Sequence, residues 1–463
     1  MRAIDQTIDS SIFRAYDIRG IVNESLTEAV VEQIGKAVGS ESQARGVKTI
    51  VVGRDGRLSG PDLQQALMKG LQQSGMEVMD IGQAPTPVIY FAAVPLNAGS
   101  CVAVTGSHNP PNYNGLKVVA AGETLSAGAI QDLHRRIVEG DLLSGEGSIR
   151  SVEIQSDYQQ RIIGDIKLAR PLKLIVDCGN GVAGDTAPEL LRALGCEVQE
   201  LYCEVDGNFP NHHPDPSKLE NVAELRERVV AEGADLGLAF DGDGDRLGVI
   251  DSKGNLIFPD RQMMLYAQDI LARNPGGEVI YDVKCTRNLP TIIEQAGGKP
   301  TMWKTGHSFI KQKLKATESA LLAGEMSGHI FFKERWYGFD DALYTAARLL
   351  EIVAKDGRPT VELFNELPDT VNTPELNVQF AEGAHYVFMD ALKQQAHFEG
   401  AEVNDIDGLR VDYPYGWGLV RPSNTTPVLV LRFEAETQRD LERVQEAFRV
   451  ALLNVQSDLS LPF

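Results

Sequence analysis

The sequence predicts an α/β protein in which three similar α/β domains, built on mixed sheets, precede a C-terminal α+β domain. Three observations support this fold class. The chain has 463 residues, enough for three or four domains. A strand–helix–strand unit occurs three times, and the pattern changes beyond about residue 367. We therefore predict four domains around a central cleft, at residues 1–152, 153–255, 256–367 and 368–463.

Each repeated unit begins with an apolar β-type segment, at 49–55, 172–180 and 278–285. A helical stretch follows each segment. It has a proline near its start (Pro61, Pro188, Pro290) and a glycine at its end (Gly75, Gly195, Gly297). This asymmetry is typical of helix N1 and C′ positions. A second β-like run completes a βαβ unit, whose crossover we expect to be right-handed.

Every copy continues with a third strand, a polar loop and a returning strand. The three loops read TGSHNPPNYNG, DGDGDR and EMSG. Ligands bind at the carboxyl ends of strands in α/β sheets. We therefore expect the three loops to face one cleft, each with a different chemical task.

The fourth domain has a different pattern. Alternating segments at 409–413, 417–421 and 428–433, followed by the helix-like run QRDLERVQEAFRVALL, predict an antiparallel sheet with a helix. The polar segment RPSNTTP, residues 421–427, joins two of these strands.

Composition limits the partners. The 44 Lys and Arg against 65 Asp and Glu give a net charge of −21, which disfavours nucleic acid. An anionic substrate then needs a few cations gathered in one cleft. Five scattered cysteines without a CxxC pair, and an N-terminus without an apolar signal segment, predict a cytoplasmic protein. No apolar run approaches the roughly 20 residues of a membrane span, so we expect no membrane partner.

The DGDGDR loop predicts a metal site. Asp241, Asp243 and Asp245 alternate with glycines, so their carboxylates can converge on Mg²⁺ or Ca²⁺. Without a cation the three charges would repel strongly. An EF-hand is excluded because Arg246 and Ser252 stand where that loop needs Gly and Glu.

Ser107 is the candidate nucleophile. It follows an apolar strand and precedes His108 in a loop with small neighbours. The sequence has no Gly-x-Ser-x-Gly elbow for acyl transfer, whereas an acidic metal site suits phosphoryl transfer. Ser107 would then attack or carry a phosphoryl group.

A rival hypothesis comes from another enzyme class. Gly179, Gly181 and Gly184 have the G-x-G-x-x-G spacing after a strand, and Glu204 lies twenty residues beyond the last of them. This fingerprint is typical of an NAD-dependent oxidoreductase. That function would leave the other three loops without a role.

The remaining loops suit a phosphorylated sugar. Glu325, Ser327 and His329 occupy alternate positions, which sends their side chains to one side, where a carboxylate and a hydroxyl can bind vicinal hydroxyls. The last polar segment offers a cation and short polar donors for an anion: Arg421, Ser423, Asn424 and Thr425. Local positive charge would come from Arg19, Lys117, Arg246, Lys284 and His307.

Five ordered motifs carry a family resemblance. FRAYDIRG (13–20), TGSHNP, DGDGDR, GEMSGH and RPSNTTP extend over nearly the whole chain. In this order they resemble the motifs of the α-D-phosphohexomutases, and specifically of the bacterial phosphomannomutase/phosphoglucomutase enzymes.

The resemblance implies a reaction. Ser107 would be phosphorylated in the resting enzyme, and Asp241, Asp243, Asp245 and a phosphoserine oxygen would bind Mg²⁺. A hexose monophosphate would become a 1,6-bisphosphate, with glucose 1,6-bisphosphate as activator. That intermediate would reorient in the cleft and return its other phosphoryl group to Ser107. Mannose 1- and 6-phosphates would be interconverted, and likewise the glucose pair, by a monomeric protein.

The resemblance also implies roles for single residues. Arg246, with Arg19 and Lys117, would neutralise charge on the transferring group. The proton carrier stays open among His108, His307 and His329, since Arg19 and Lys117 would need strongly depressed pKa values. Glu325 and Ser327 would bind sugar hydroxyls, and the Arg421 loop would hold the phosphate that is not reacting. The other substrate-binding residues would be Tyr16, Lys284 and His329.

Two alternatives remain close to this interpretation. Phosphoglucosamine mutase is one, although Met326 stands where we expect Gln in those enzymes. A metal-stabilised sugar-phosphate binding protein is the other, and it would leave Ser107 with no task.

One departure from the family pattern is Gly106, where alanine is more often expected.

Overall fold

A computed structural model describes residues 8–424 and 426–463 of the chain. In these residues the strands form four sheets, of seven, five, four and six strands. The predicted fold class is confirmed: three similar mixed α/β units precede an antiparallel α+β unit. No helix of the described residues has both the length and the apolar character needed to cross a membrane.

The first unit contains a seven-stranded sheet in the order β1-β5-β4-β2-β3-β7, with β6 beside β5. Its strands are β1 (Ile18–Ile21), β2 (Thr49–Arg54), β3 (Glu77–Gln83), β4 (Gly99–Val104), β5 (Tyr113–Ala120), β6 (Glu123–Thr124) and β7 (Ser148–Ser151). Its helices are α1 (Glu28–Ala44), α2 (Gly60–Gln73), α3 (Thr86–Ala92) and α4 (Gly128–Glu139).

The second unit contains a five-stranded sheet in the order β12-β11-β10-β8-β9. Its strands are β8 (Lys173–Asp177), β9 (Glu197–Leu201), β10 (Leu236–Phe240), β11 (Leu247–Ile250) and β12 (Leu256–Ile257). Its helices are α5 (Gln155–Asp165), α6 (Ala187–Ala193) and α7 (Ala223–Glu232).

The third unit contains a four-stranded sheet in the order β14-β13-β15-β16. Its strands are β13 (Glu278–Asp282), β14 (Lys299–Trp303), β15 (Ala320–Gly324) and β16 (Ile330–Phe332). Its helices are α8 (Pro259–Arg273), α9 (Asn288–Gln295), α10 (His307–Ala316), α11 (Ala342–Asp356) and α12 (Thr360–Asn365).

The three units share one topology. In each, the first strand pairs in parallel with the second and the third, and the returning strand pairs antiparallel with the third. The loops that begin at Thr105, Asp241 and Glu325 therefore leave equivalent strands, β4, β10 and β15. The glycines predicted to end the helices, Gly75, Gly195 and Gly297, all have positive φ. These are the left-handed positions at which a side chain would be strained.

The fourth unit is an antiparallel sheet in the order β17-β22-β21-β20-β19, with β18 also paired to β22. Its strands are β17 (Val371–Asn372), β18 (Leu376–Gln379), β19 (Glu402–Asn404), β20 (Leu409–Tyr413), β21 (Gly416–Pro422) and β22 (Val428–Ala435). Its helices are α13 (Ala384–Gln395) and α14 (Gln438–Val455).

Arg410 attaches the fourth unit to the third. Its guanidinium is buried, lies 3.9 Å from the centre of the Trp417 ring, and donates hydrogen bonds to Val283 O at 2.7 Å and Cys285 O at 2.8 Å. The Trp417 and Val283 side chains pack in one small apolar cluster. This contact fixes strand β21, and with it Arg421, relative to the third unit.

Candidate active site

Ser107 lies at a strained turn directly after β4. Its φ is +49°, a left-handed value that is costly for a residue with a Cβ. The Ser107 N–H donates to Thr105 Oγ1 at 2.8 Å, and its hydroxyl lies 3.1 Å from His108 Nδ1 and 3.2 Å from Asp241 Oδ2. The turn therefore aims the hydroxyl at the acidic loop of the second unit.

Arg57, which the sequence analysis did not single out, holds this turn in place. Its buried guanidinium donates to the carbonyl oxygens of Ser107 at 2.9 Å and Asn109 at 2.6 Å, and also to those of Pro110 and Tyr113. Asp55 pairs with Arg57 Nε at 3.2 Å. The sequence signal was available, because both charged residues follow an apolar strand at its carboxyl end.

The three aspartates of the acidic loop converge. One oxygen from each of Asp241, Asp243 and Asp245 lies within 4.8 Å of the others, and all three residues are fully buried. Asp241 Oδ1 accepts three main-chain N–H groups, from residues 244 to 246, each at 3.1 Å. Burial and the two neighbouring carboxylates raise the pKa of Asp241 well above its usual value.

Lys117 partly neutralises this cluster. Its ammonium donates to Asp243 Oδ2 at 2.8 Å and to Asp245 Oδ2. Burial alone would lower the pKa of Lys117, but these carboxylates raise it above its ordinary value. Lys117 therefore stays charged and does not have the depressed pKa that a proton carrier would need. Arg19, on β1, is paired with Asp17 and Asn109 at the same edge of the cleft.

The acidic loop fits a divalent cation. Among the described residues, Asp243 Oδ1 is buried without a hydrogen-bond donor, and Asp245 Oδ1 is approached only by His329 Nε2, at 3.4 Å, although the second oxygen of each aspartate is paired with Lys117. Buried carboxylate oxygens without donors are costly unless an ion binds them. The donor set is entirely oxygen, which suits Mg²⁺.

The loop of the third unit meets the acidic loop. Ser327 Oγ and Glu325 Oε2 both approach His329 Nδ1, at 2.8 and 3.2 Å, while His329 Nε2 lies 3.4 Å from Asp245 Oδ1. Burial would lower the pKa of His329, but Asp245 and Glu325 raise it to about 9. The three predicted side chains thus converge, and the histidine carries a proton at neutral pH.

The other two candidate histidines are neutral. Burial, together with the nearby cations Arg246 and Arg19, holds the pKa of His108 well below its usual value. Burial and the charge of Lys311 also hold the pKa of His307 well below its usual value. His307 Nδ1 lies 3.7 Å from Asp340 Oδ2, so a buried carboxylate faces this ring.

The fourth unit contributes a buried guanidinium. Arg421 Nε donates to Asp407 Oδ2 at 3.0 Å, and the same carboxylate accepts the Thr305 N–H at 3.0 Å. In the described part of the chain Arg421 Nη2 is buried with no hydrogen-bond partner. Asn424 donates to the Tyr16 hydroxyl, which itself donates to Thr305 O at 3.0 Å. Thr425 lies outside the described residues.

Lys284 and Glu375 form a second contact between the third and fourth units. Lys284 Nζ lies 2.7 Å from Glu375 Oε1. Burial would raise the pKa of Glu375, but Lys284 lowers it to about 2. Glu375 and Asp407 were not predicted from the sequence, because only the packing of separate units brings them to the site.

One cleft of about 600 Å³ collects these groups from all four units. Predicted residues that line it are Tyr16, Arg19, Ser107, His108, Lys117, Arg246, Lys284, His307, Glu325, Ser327, His329, Arg421, Ser423 and Asn424. The three aspartates lie behind this surface, fully buried.

The glycines of the apparent dinucleotide fingerprint have a different purpose. A Cβ on Gly184 would lie 1.9 Å from Cys203 O, and one on Gly181 would lie 2.9 Å from Gly242 Cα. A Cβ on Gly179 would be 3.2 Å from Pro214. The glycines thus permit close packing of the protein's own main chain, which accounts for their spacing without a bound dinucleotide.

A turn that presents a serine hydroxyl, a buried oxygen-only acidic cluster and cations from four units define the site of a phosphoryl-transfer enzyme acting on a small anionic substrate. Family models describe the chain in the same terms. Residues 10–142, 156–254 and 258–371 match domains I, II and III (alpha/beta/alpha) of phosphoglucomutase/phosphomannomutase, and residues 375–451 match its C-terminal domain. The chain belongs to the phosphoglucomutase/phosphomannomutase family.

Relatives that match this chain over nearly their whole length carry names from the same family. A phosphomannomutase/phosphoglucomutase of Pseudomonas aeruginosa is 57% identical over 457 residues, covering 99% of this chain and 98% of the relative. A phosphoglucomutase of Neisseria gonorrhoeae is 52% identical over 451 residues, covering 96% and 97%. The crystal structure of a Burkholderia thailandensis phosphoglucomutase/phosphomannomutase family protein has a TM-score of 0.93 and 54% identity, covering 98% of this chain and 100% of that one.

Proposed function

We propose that this enzyme reversibly interconverts the 1- and 6-phosphates of mannose and glucose through a phosphoserine at Ser107 and a hexose 1,6-bisphosphate. The observation that carries the proposal is the contact of the Ser107 hydroxyl, 3.2 Å from Asp241 Oδ2, at a cleft lined by all four units. A phosphoryl group on this oxygen would lie against the acidic cluster and open to the cleft.

The phosphoryl transfer is a direct exchange between two oxygens. The Oγ–P bond of phosphoserine breaks as a sugar hydroxyl forms a new O–P bond, and the hydroxyl proton passes to a base. Arg19 and Arg246, which line the cleft beside Ser107, would neutralise the transferring group. Lys117 would hold Asp243 and Asp245 in position through its two ion pairs.

A magnesium ion would complete the charge balance. Asp241, Asp243 and Asp245, with an oxygen of phosphoserine, would hold it through the buried oxygens described above. When bound, Mg²⁺ supplies positive charge to the phosphoryl oxygens.

Proton transfer would use the histidines of the cleft. At neutral pH His329 is cationic and can donate a proton, whereas His108 and His307 are neutral and can accept one. His108 Nδ1 lies 3.1 Å from Ser107 Oγ, within reach of its hydroxyl hydrogen.

The sugar would be held from the third and fourth units. Glu325 and Ser327 would bind its hydroxyls, and Tyr16, Lys284, His307 and His329 would complete the walls. The buried, unpartnered Nη2 of Arg421 supports a phosphate at the far end, together with Ser423, Asn424 and the predicted Thr425. Glucose 1,6-bisphosphate would then fit in two orientations, with either phosphate at Arg421.

Intact-mass measurement tests this proposal. Incubation with glucose 1,6-bisphosphate should interconvert two species that differ by one phosphoryl group. Ser107→Ala is the matched control and should show one species. It should also lose nearly all mutase activity, and residual activity within about tenfold of wild type, ~1.4 kcal/mol in barrier, would contradict a phosphoserine intermediate. Turnover of glucosamine 6-phosphate above that of the glucose and mannose phosphates would favour the glucosamine enzyme instead.

We also propose that the protein works as a monomer in the cytoplasm. Each group assigned above comes from one chain, and the five cysteines are free and buried, as a reducing compartment allows. Sedimentation equilibrium of the active enzyme tests the monomer, and an obligate dimer would contradict it.

A further inference from the structure

A second cavity, of about 640 Å³, lies between the first and third units. On one side are α3, β4, β5 and the turn at Gly122; on the other are α10 and the segment 333–339. In the described part of the chain, no residue lines both this cavity and the reaction cleft. Its volume is typical of pockets for small organic ligands.

The cavity is lined by lysines in a chain whose net charge is −21. Lys315 Nζ donates to Gly122 O at 2.7 Å, and Lys333 Nζ donates to three carbonyl oxygens, of Leu314, Thr317 and Glu318, at 2.9 to 3.4 Å. Within the described residues these two ammonium groups are paired with carbonyl oxygens rather than with carboxylates. Glu123 is the one acidic residue among those lining the cavity. Because no carboxylate of the described residues neutralises them, the charges of these two lysines can attract an anion.

Aromatic rings form another part of the wall. The Tyr337 and Phe339 rings are parallel within 6°, with centroids 6.0 Å apart. Tyr337 is 40% exposed, so part of this side chain is open to a ligand. A flat, partly exposed ring in the wall of a cavity suits a stacked planar ligand.

We propose that this cavity is a second binding site, for a small ligand that combines a planar aromatic ring with phosphate groups, as a nucleotide does. The ring would stack on Tyr337, and the phosphates would bind Lys315 and Lys333. The aromatic ring distinguishes this ligand from the hexose phosphates of the reaction cleft, which carry phosphate but no aromatic ring.

Lys311 links this site to the reaction cleft. It lines the second cavity, lies 4.2 Å above the Tyr90 ring, and donates to Asp340 Oδ1 at 2.8 Å. The other oxygen of Asp340 faces His307 Nδ1 at 3.7 Å. A phosphate in the second cavity would compete with Asp340 for Lys311 and leave the Asp340 charge facing His307. Nucleotide binding should therefore lower the turnover of the enzyme. This effect on turnover rests on the proposed function, whereas the proposal that a nucleotide binds the second cavity does not depend on it.

Calorimetry on the full chain tests the binding, with ADP as probe and free Mg²⁺ held constant. ADP should bind more tightly than either adenosine or pyrophosphate, because adenosine has only the ring that stacks on Tyr337 and pyrophosphate has only the phosphates that bind the lysines. The double variant Lys315→Gln/Lys333→Gln should weaken ADP binding by about tenfold or more, as expected for losing contacts to charged groups. Lys355→Gln, which removes the same charge from an exposed position on α11, should leave the affinity unchanged.

Two measurements separate this site from the reaction cleft. ADP affinity should be the same with and without saturating glucose 1,6-bisphosphate, and the same in Arg421→Ala as in wild type. In kinetics, ADP should lower kcat for glucose 1-phosphate without raising KM. No ADP binding in the millimolar range, wild-type affinity in the double lysine variant, or competition between ADP and the bisphosphate would each overturn the proposal.

Discussion

Arg57 Nη2 donates a hydrogen bond to the carbonyl oxygen of Ser107 at 2.9 Å. This contact joins two loops that follow neighbouring parallel strands, β2 and β4. Ser107 has a positive φ, which persists only if surrounding contacts enforce it. Arg57 supplies those contacts through four carbonyl oxygens of residues 107–113. The position of the proposed nucleophile therefore depends on a side chain that does not line the cleft.

Arg57→Ala should disable the enzyme without removing any reacting group. The substitution removes the guanidinium that donates to four carbonyl oxygens and that pairs with the buried Asp55, and breaking a buried ion pair costs about 3 to 5 kcal/mol. We expect a lower melting temperature and at least a tenfold lower kcat. Arg57→Lys is the control, since it keeps the charge but not the fork of donors. An Arg57→Ala enzyme that melts lower but retains wild-type kcat would contradict a positioning role.

Gly106 makes room for the same guanidinium. A Cβ at this position would lie 2.4 Å from both Cζ and Nε of Arg57, closer than real Cβ contacts allow. Gly106→Ala should therefore displace Arg57 and cost about 1 to 3 kcal/mol of stability, with a fall in kcat from the altered Ser107 turn. Gly128→Ala, which meets nothing within 4 Å, is the control in thermal melting and kinetics. Equal melting and kcat for Gly106→Ala and wild type would show that Arg57 shifts freely.

Much of this architecture was predictable because its signals are local. Each repeated unit places its strand, helix and glycine within one short segment, and the strand predicted at 409–413 is β20, Leu409–Tyr413. The loops at Ser107, Asp241 and Glu325 leave equivalent strands of one repeated topology, so their convergence followed from the repeat itself. Pro290 differs slightly, since it is the third residue of α9, whereas Pro61 and Pro188 are the second residues of α2 and α6.

The supporting residues could not be predicted in the same way. Asp407 is bound to Arg421 in its own unit and to Thr305 in another, and no sequence spacing reports that contact. The fingerprint glycines show the opposite case, in which a sequence pattern suggests a function although the residues serve internal packing. Gly181 and Gly184 match a phosphate-binding spacing, but their small size serves close contacts with Gly242 and Cys203. Local patterns identify residue types that can do chemistry, whereas the packing between units decides which of them are used.

Asp243→Asn should weaken the metal site while preserving its shape. Asp243 Oδ2 accepts hydrogen bonds from Thr86 at 2.6 Å and Lys117 at 2.8 Å, so the side chain is held in place and only its charge changes. We expect lower Mg²⁺ affinity and partial recovery of activity at high Mg²⁺. Titration of activity against Mg²⁺ checks this, and unchanged metal dependence would show that the three aspartates are not the site.

His212 should make stability depend on pH near neutrality. Its Nε2 lies 3.0 Å from the buried Asp177; burial would lower the pKa of His212, but this carboxylate raises it above the ordinary value. The stabilisation is fully present below the unfolded pKa of about 6.5 and is lost as pH rises through the raised folded pKa. His212→Gln should therefore lower the melting temperature more at about pH 6 than at about pH 9. His397→Gln, at an exposed position, is the control, and an equal loss at both pH values would contradict the charged pair.

Arg421→Ala tests whether one clamp serves both directions of the reaction. The buried Nη2 of Arg421 has no partner among the described residues, whereas Nε is held at 3.0 Å by Asp407. Asp407 thus fixes the side chain and leaves one edge of the guanidinium for a ligand. In the proposed reaction the bisphosphate binds in two orientations, so whichever phosphate is not at Ser107 would meet this edge.

Loss of the guanidinium should therefore weaken the 1-phosphate and the 6-phosphate together, each by about 1.5 to 3 kcal/mol, as for a hydrogen bond to a charged group. More bisphosphate should also escape per turnover, because the reorienting intermediate is held less firmly. Removing Arg421 leaves Asp407 unpaired, so Arg421→Lys, which keeps a cation there, controls for a misplaced fourth unit. The measurements are the kinetics of both substrates and the free glucose 1,6-bisphosphate that accumulates. An effect confined to one substrate, or no added escape of the intermediate, would falsify the shared clamp, because a bisphosphate that reorients must lose the same contact in either direction.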